Sequence, residues 1–444
     1  MLKQQNNQWQ LAWPDAEQSL FTDGTTVTTA RQWQQQLQQV RHFISVQPGD
    51  TVLLYQRDSL RFAVWFVALC QLGKHIVLAP DEQPDTLKLA GAHCDWQAPQ
   101  TELSCTAEVV YQPLLSLQDS SKISFFTSGS TGQPKLVSKR LSQLLLEVQT
   151  LEQQFAPTFS AQPVFAATVS YQHIYGLLFR MLWPLCYGYL QYRQQLSYLE
   201  QWQALLRQHN LVLIASPAHL ARFDDIAVLA PLAQRCLRIF SSGGPLADTV
   251  PPRYLAALGQ APTEVFGSTE TGGIAFRQRD IAGAPWQVFS GIRIGYGDEQ
   301  ALQLSSPYLD NAGIFTTADK VELVTAHRFH LLGRLDRVVK IAEKRLSLPE
   351  LEQHCLSSDL VAQAAAVVLC QPKTQLALAV VLSPEGKQLL QQHGKLAVNQ
   401  RLKQHLLARF ERVMLPRKFR YVACLPYNQQ GKLPQMQLEA LFLP

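Results

Sequence analysis

Between Ile123 and Lys135 the chain reads ISFFTSGSTGQPK, an apolar run that breaks into a loop of Gly, Ser and Thr and closes on Pro-Lys. An apolar run feeding such a loop reads as a buried strand that delivers backbone N–H groups, hydroxyls and one cation to a common point. The chemistry on offer is the holding of an anion, and a polyphosphate is the anion that uses so many donors. Gly129 and Gly132 let the backbone approach closely, Ser128, Ser130 and Thr131 can donate to phosphate oxygens, and Lys135 adds a point charge. As plain local structure the same stretch is a solvated turn between two elements. Its spacing fits neither G-x-x-x-x-G-K-[ST] nor a G-x-G-x-x-G that opens a helix.

Other candidate groups are more scattered. Gly267 to Glu270 (GSTE) brings two hydroxyls and a carboxylate together, and reads equally as a helix N-cap followed by a first-turn Glu. His173, in YQHIYG, reads either as a packed side chain or as a group at a pocket mouth. His327 and His330 lie in a strand-like pattern whose odd offset sends them to opposite faces, and a metal needs more ligands than that pair. The eight cysteines form no C-x-x-C pair, and several sit in apolar runs as small hydrophobes, so neither disulfides nor zinc are expected.

The elements that must carry these groups follow from periodicity. Ala30 to Val46 has helical spacing, Asp50 to Tyr55 reads as a strand, Ser59 to Gly73 as an apolar helix, and His75 to Ala79 as the next strand. That βαβ order predicts a parallel sheet. Downstream, apolar runs end in small polar residues: Ile123 to Phe126 at the Ser/Gly loop, Val164 to Val169 at SYQHIYG, Leu211 to Ala215 at SPAH, and Leu237 to Phe240 at SSGG. In open α/β sheets ligands sit beyond the carboxyl ends of the strands, so these tips are expected to gather round one crevice. Between Trp286 and Arg334 short alternating runs broken by Gly, Asn and Asp predict a small antiparallel unit. From Leu348 the pattern predicts a helix, strands at Ala364 to Leu369 and Leu376 to Leu382, a helix, a longer helix to about Val413, and a strand around Phe419 to Ala423. This makes a compact α+β domain of roughly 110 residues.

Composition narrows the class. With 444 residues, 47% of them hydrophobic, the chain has core enough for two or three domains. Charged residues make up only 16%, and the net charge of +5 is spread without a Lys/Arg block, which argues against a nucleic-acid binder. No apolar stretch reaches the roughly 18 residues of a membrane span, and MLKQQNNQWQ lacks the apolar core of a signal peptide. A soluble, cytoplasmic protein is the expectation.

TSGSTGQPK, Thr127 to Lys135, resembles the phosphate loop of the adenylate-forming (AMP-binding) superfamily: acyl- and aryl-CoA synthetases, peptide-synthetase adenylation domains and luciferases. VFGSTETGG, Val265 to Gly273, resembles its second motif. That likeness implies that Phe266 stacks on adenine, Thr269 contacts the α-phosphate and Glu270 helps hold Mg²⁺, with Gly267 and Ser268 beside the nucleotide. A carboxylate next to phosphate oxygens suits this hard cation. SSGGPL resembles the turn that borders adenine and the acyl pocket, and places Gly243 and Gly244 there. FTTADKVEL resembles the motif whose aspartate takes the two ribose hydroxyls, here Asp319, although Ala318 stands where Gly is usual. GRLDRVVK resembles the hinge segment, so that Arg334 reaches ribose or phosphate and Asp336 marks the hinge. LPYNQQGKLPQ resembles the C-terminal loop with the catalytic lysine, Lys432. Glu343 departs from the pattern, standing where a glycine normally lines the approach of a pantetheine thiol; a carboxylate there obstructs CoA or marks a different thiol partner. With GDTVLLYQRDSLRFAVWFVALCQLGKHIVLAP, which resembles the family's early βαβ segment, the likeness runs from residue 49 to 435.

The resemblance implies an α/β fold: a large N-terminal domain of stacked α/β subdomains over 1–335, with a small antiparallel β subdomain at about 284–334, then a smaller α+β lid domain over 336–444. It implies an ATP- and Mg²⁺-dependent acid:thiol ligase that converts an acyl or aryl acid to an acyl-adenylate, releases pyrophosphate, and passes the acyl group to CoA or to the phosphopantetheine of an acyl carrier protein. The acyl pocket falls on Tyr171, His173, Gly176, Phe240 to Gly244 and Gly273, with His173 among the catalytic candidates. The alternative is a catalytically silent nucleotide or acyl-adenylate binding module. Chain length agrees best with small stand-alone acyl- or aryl-acid ligases.

Overall fold

The structure is a computed structural model that describes residues 2–5, 8–13, 15–101, 110–128, 134–281, 283–310, 313–341, 344–369, 375–427 and 433–443. The chain divides into two compact units. One comprises 1–129, 134–293 and 305–313; the other comprises 294–304 and 314–444.

In the first unit, β1 (Ser19–Thr22) leads to α1 (Ala30–Ser45). A capping box opens this helix: Gln32 N–H donates to Thr29 Oγ1 and Thr29 N–H to Gln32 Oε1 at 3.0 Å. Its buried Trp33, Leu37, Val40 and Ile44 recur at helical spacing. Then come β2 (Thr51–Leu54), α2 (Ser59–Gln71) and β3 (His75–Leu78). Residues 62–70 of α2 are buried all round, as expected of a helix enclosed by other elements. β3 pairs in parallel with β4 (Lys122–Ser128), which turns back antiparallel as β5 (Pro134–Arg140), with Ser128 opposite Pro134. The residues on either side of the Ser/Gly loop are therefore arms of one antiparallel pair.

The helix that follows, α3 (Leu141–Phe155), buries Leu144, Leu145, Val148, Leu151 and Phe155 along one stripe. A second sheet is built from β6 (Val164–Ala167), β7 (Leu190–Gln195), β8 (Leu211–Ala215), β9 (Cys236–Ser241), β10 (Thr263–Ser268) and β11 (Gly272–Gln278). Its order runs β11-β10-β9-β8-β6-β7-β1, parallel from β10 to β1, with β11 returning antiparallel. Phe155, Phe179, Trp183, Phe240 and Phe276 meet between α3 and this sheet, with Phe155 and Phe240 edge-to-face at 4.8 Å. Three of the four polar tips, SYQHIYG, SPAH and SSGG, follow the carboxyl ends of neighbouring strands here, and the turn after β10 joins them. β4, which leads into the fourth, belongs to another sheet.

In the second unit, β12 (Phe315–Thr325) and β13 (Arg328–Arg334) form an antiparallel pair. α4 (Leu348–Leu356), β14 (Val361–Leu369), β15 (Gln375–Leu382), α5 (Pro384–Leu407) and β16 (Lys418–Tyr421) follow. The two helices expected after β15 are one element broken at Gly394, whose φ of 76° is left-handed. β15 is central, antiparallel to β14 and parallel to β16. Leu376, Leu378, Val380 and Leu382 pack on one side with α4 and α5, while Ala377, Ala379 and Val381 face Leu438 and Phe442 on the other. A period of two with both faces covered makes LALAVVL an uninterrupted apolar run.

At the end of β6 the chain doubles back, and a Cβ on Gly176 would overlap the Ser170 carbonyl oxygen. That obstacle is backbone, which cannot step aside as a flexible side chain would. Gly176→Ala should therefore lower the free energy of unfolding by about 1–3 kcal/mol, read as a lower urea midpoint at unchanged slope. An unchanged midpoint would mean that the loop over 168–173 yields freely.

Candidate active site

β10 and β11 form a tight antiparallel hairpin whose turn carries Thr269 and Glu270. Ser268 and Thr271 close it reciprocally: Thr271 N–H donates to Ser268 Oγ at 3.2 Å and Ser268 N–H to Thr271 Oγ1 at 3.1 Å. Gly267 is required, since a Cβ there would overlap the Gly272 carbonyl oxygen, and Gly272 takes a φ of +69°. Lower in the hairpin, buried Glu264 accepts from Arg277 Nε at 3.0 Å and Nη2 at 3.1 Å, and also pairs with Arg279. Phe266 stands at the end of β10, its ring 5.4 Å from Trp286, and Arg277 lies 4.3 Å over the far partner of that pair. The stacking face expected of Phe266 is thus seated on a second aromatic.

Beneath the turn lies a buried polar group that the sequence reading did not single out. Lys139, on β5 and 4% exposed, donates through Nζ to the backbone carbonyl of Glu270 and, at 2.9 Å, to that of Tyr308. Gln143 Nε2 reaches Tyr308 O at 3.0 Å and Asp310 Oδ1 at 3.1 Å. Glu147, on α3 and also 4% exposed, accepts from Gly273 N–H at 2.7 Å. Its carboxylate lies so close that a Cβ on Gly272 would fall 2.6 Å from Oε2 and one on Gly273 2.9 Å from Oε1. Burial pushes the Lys139 ammonium below its ordinary pKa, against the charges of Glu147, Asp310 and Glu270. Burial pushes the Glu147 carboxyl up to about 7, against the Gly273 N–H bond and Lys139. The signal was present in LSQLLLEVQTLEQQF: Glu147 falls on the apolar stripe between Leu144 and Leu151.

The remaining expected residues divide as follows. Thr127 and Ser128 end β4, Lys135 begins β5 with an exposed side chain, and Gly129, Ser130, Thr131 and Gly132 lie outside the described residues. Thr269 is 9% exposed and Glu270 partly buried. Gly243, with φ of 93°, and Gly244 form the turn after β9, where Ser242 Oγ donates to Val265 O at 2.8 Å. Tyr171 is buried against Phe62, ring centres 4.2 Å apart, with its hydroxyl on Gln56 O, and His173 is partly buried at the start of the short helix Ile174–Gly176. In the second unit Asp319 and Arg334 are opposite one another on β12 and β13, Arg334 Nη1 3.2 Å from Asp319 Oδ1. Asp319 is 8% exposed. Asp336 falls in the turn Leu335–Arg337, beside Arg337, which holds Glu352 at 2.7 Å. Glu343 and Lys432 lie outside the described residues.

Residues 118–292, which contain the Ser/Gly loop and the β10–β11 turn, match the family described as AMP-binding enzyme. Over that stretch the chain is similar to the adenylate-forming, AMP-binding superfamily. It is 23% identical over 320 residues to a 4-coumarate–CoA ligase of Rhodobacter capsulatus, covering 72% of this chain and 76% of that protein. It is 27% identical over 148 residues to a D-alanine–D-alanyl carrier protein ligase of Bacillus cytotoxicus, covering 33% of this chain and 29% of that one. An ATP-bound RpMatB-BxBclM chimera aligns with a TM-score of 0.76 at 16% identity over 97% of both chains. A benzoate CoA ligase from Burkholderia xenovorans aligns with 0.69 at 17% identity, over 95% of this chain and 96% of that one. These likenesses show the α/β fold of adenylate-forming enzymes. Members of the superfamily use ATP and Mg²⁺, with CoA or a carrier protein as thiol acceptor. The donor set present here fits them: one carboxylate, Glu270, on a turn rich in hydroxyls and main-chain N–H groups. No helix among the described residues is long and apolar enough to cross a membrane.

The Glu147 carboxyl yields a test of this buried group. Its folded pKa, about 7, stands above the ordinary 4.5, so the folded state binds more protons between those values, and this group's contribution to stability is full below pH 4.5 and is lost as pH rises through 7. Glu147→Gln removes that loss. The stability difference between variant and wild type, from urea unfolding at pH 5 and pH 8, should shift towards the variant by about 1–3 kcal/mol. A difference independent of pH would refute the raised pKa.

Proposed function

We propose that this chain activates a carboxylic acid by adenylation and hands the acyl group to a pantetheine thiol. The observation that carries the reading is the β10–β11 turn: a Gly-rich hairpin at the carboxyl edge of a parallel sheet, presenting Thr269 and Glu270 with Phe266 behind them. In the first step a carboxylate oxygen of the acid attacks the α-phosphorus of ATP, the bond from that phosphorus to the β-phosphate oxygen breaks, and pyrophosphate leaves with the negative charge. Little covalent help is needed from the protein, so catalysis rests on placement and on neutralising charge. The loop from Thr127 to Gly132, with Lys135, receives the leaving phosphates. Phe266 stacks on adenine, Gly243 and Gly244 border it, and Asp319 and Arg334 take the ribose. Thr269 donates to the α-phosphate, and Glu270 orients its carboxylate to Mg²⁺. When bound, Mg²⁺ shields the charge on the phosphates. Tyr171, His173, Gly176 and the turn after β9 line the acyl pocket.

Residues 336–444 serve as the lid in this reading, with Asp336 the hinge and Lys432 the cation supplied to the α-phosphate. In the second step the thiolate attacks the acyl carbon and AMP leaves. The two relatives differ by name in their acceptor, CoA for one and a carrier protein for the other, and Glu343 on the expected thiol approach favours a carrier protein here. The acid is an aryl or acyl acid.

Carboxylate-dependent exchange of labelled pyrophosphate into ATP tests the first step. Exchange is expected with at least one acid from a panel of aryl, short-chain and long-chain carboxylates. None at all, with Mg²⁺ present, would leave a nucleotide-binding module in place of a ligase. Lys432→Ala should abolish that exchange while ATP affinity changes by less than about twofold, because a residue acting on the transition state contributes little to ground-state binding. Retention of most of the exchange rate would remove Lys432 from the mechanism.

A further inference from the structure

We infer that Lys139 is a positioning residue that sets the direction of the Glu270 carboxylate by holding its main chain from beneath, with Glu147 fixing the other end of the same turn. The inference rests on Glu270 being a ligand of the divalent cation, and on no other part of the proposed reaction.

The geometry is specific. Five residues, Thr269 to Gly273, carry the turn, and two buried side chains from elsewhere in the chain grip it. Lys139 Nζ donates to the carbonyl of Glu270 itself. Glu147 Oε1 accepts from Gly273 N–H at 2.7 Å. The second bond of Lys139, to Tyr308 O at 2.9 Å, ties the turn to the segment 306–310, which Gln143 holds in parallel and Tyr308 secures by donating its hydroxyl to Thr150 Oγ1 at 2.7 Å. Glu270 is thus anchored through its backbone, leaving its carboxylate for another partner.

A purely structural role fits this arrangement poorly. A buried ammonium bonded to main-chain carbonyls is costly to desolvate, and a well-packed apolar side chain of similar volume commonly serves stability as well or better. What an apolar side chain cannot do is fix the orientation of a peptide unit by hydrogen bonding to it. The charged groups acting on Lys139 are Glu147 from α3, Asp310 from the 306–310 segment and Glu270 itself, all negative, so the cation is held in place electrostatically as well. Residues that orient a metal ligand without touching the metal typically matter about 10–100-fold in metal affinity.

The test reads metal binding, which needs no acid substrate and no turnover, so it succeeds or fails separately from the pyrophosphate exchange. Free Mn²⁺ is counted by electron paramagnetic resonance as it is titrated into the full chain with α,β-methylene ATP. Lys139→Met should raise the apparent Mn²⁺ dissociation constant about tenfold, with nucleotide affinity in EDTA changed by less than about twofold, and Lys139→Arg should recover most of the loss. In a Glu270→Gln background Lys139→Met should add little, because two residues acting through one ligand are not additive. Should Lys139→Met fail to fold, Lys139→Gln, which retains a donor, reads the same constant. The inference is overturned if Lys139→Met lowers thermal stability yet leaves Mn²⁺ affinity unchanged, if its effect multiplies fully in the Glu270→Gln background, or if wild type and Glu270→Gln bind Mn²⁺ alike.

Discussion

Lys139 and Glu147 are each 4% exposed, and taking two such charges out of water costs several kcal/mol per ion before any return. Much of the return comes from the turn between β10 and β11, which offers a carbonyl to the ammonium and an N–H to the carboxylate, and the opposite charges offset one another across the same small volume. The remaining features around the turn depend on this brace. Gly272 and Gly273 must lack side chains because the Glu147 carboxylate occupies the space where a Cβ would stand. The segment 306–310 is drawn in because Lys139 and Gln143 both need its Tyr308 carbonyl.

Around that brace the first unit is a familiar physical solution. A parallel sheet buried on both faces delivers every strand end to one edge, where short side chains and main-chain groups are free for ligands. β6, β8, β9 and β10 do this with Thr168, Ser216, Ser241 and Thr269, and the aromatic layer of Phe155, Phe179, Trp183 and Phe240 makes the platform beneath them stiff. The antiparallel return of β11 is what converts the last of these strand ends into a closed hairpin, so that Glu270 is held on both sides.

The second unit obeys different demands. β15 is apolar at nearly every position because helices cover one face and residues near the C-terminus the other. Asp319 and Arg334 are partners across a two-stranded ladder, so a one-residue slip in register would send them to opposite faces. Their geometry is a property of pairing, not of either strand alone.

Much of this was legible in the sequence. Alternation and helical spacing located α1, β2, α2, β3 and the strands after Leu348 within a few residues, because local periodicity follows directly from which face is buried; the two helices expected up to about Val413 are one broken element that ends at Leu407. The Ser/Gly loop and GSTETGG stood out in the sequence because their polar groups are compressed into consecutive residues. That β5 pairs antiparallel with β4 was not legible, since whether the chain after the loop runs as strand or helix depends on that pairing. Nor was the brace: Lys139 and Glu147 stand 131 and 126 positions in sequence from their partners in the turn, and a lone lysine or glutamate carries no mark of its partner. The sequence by itself determined the groups available for chemistry and the elements that carry them, since both are short-range. Only the tertiary structure decided which buried charges meet beneath Glu270, because that is a matter of which distant segments share one desolvated volume.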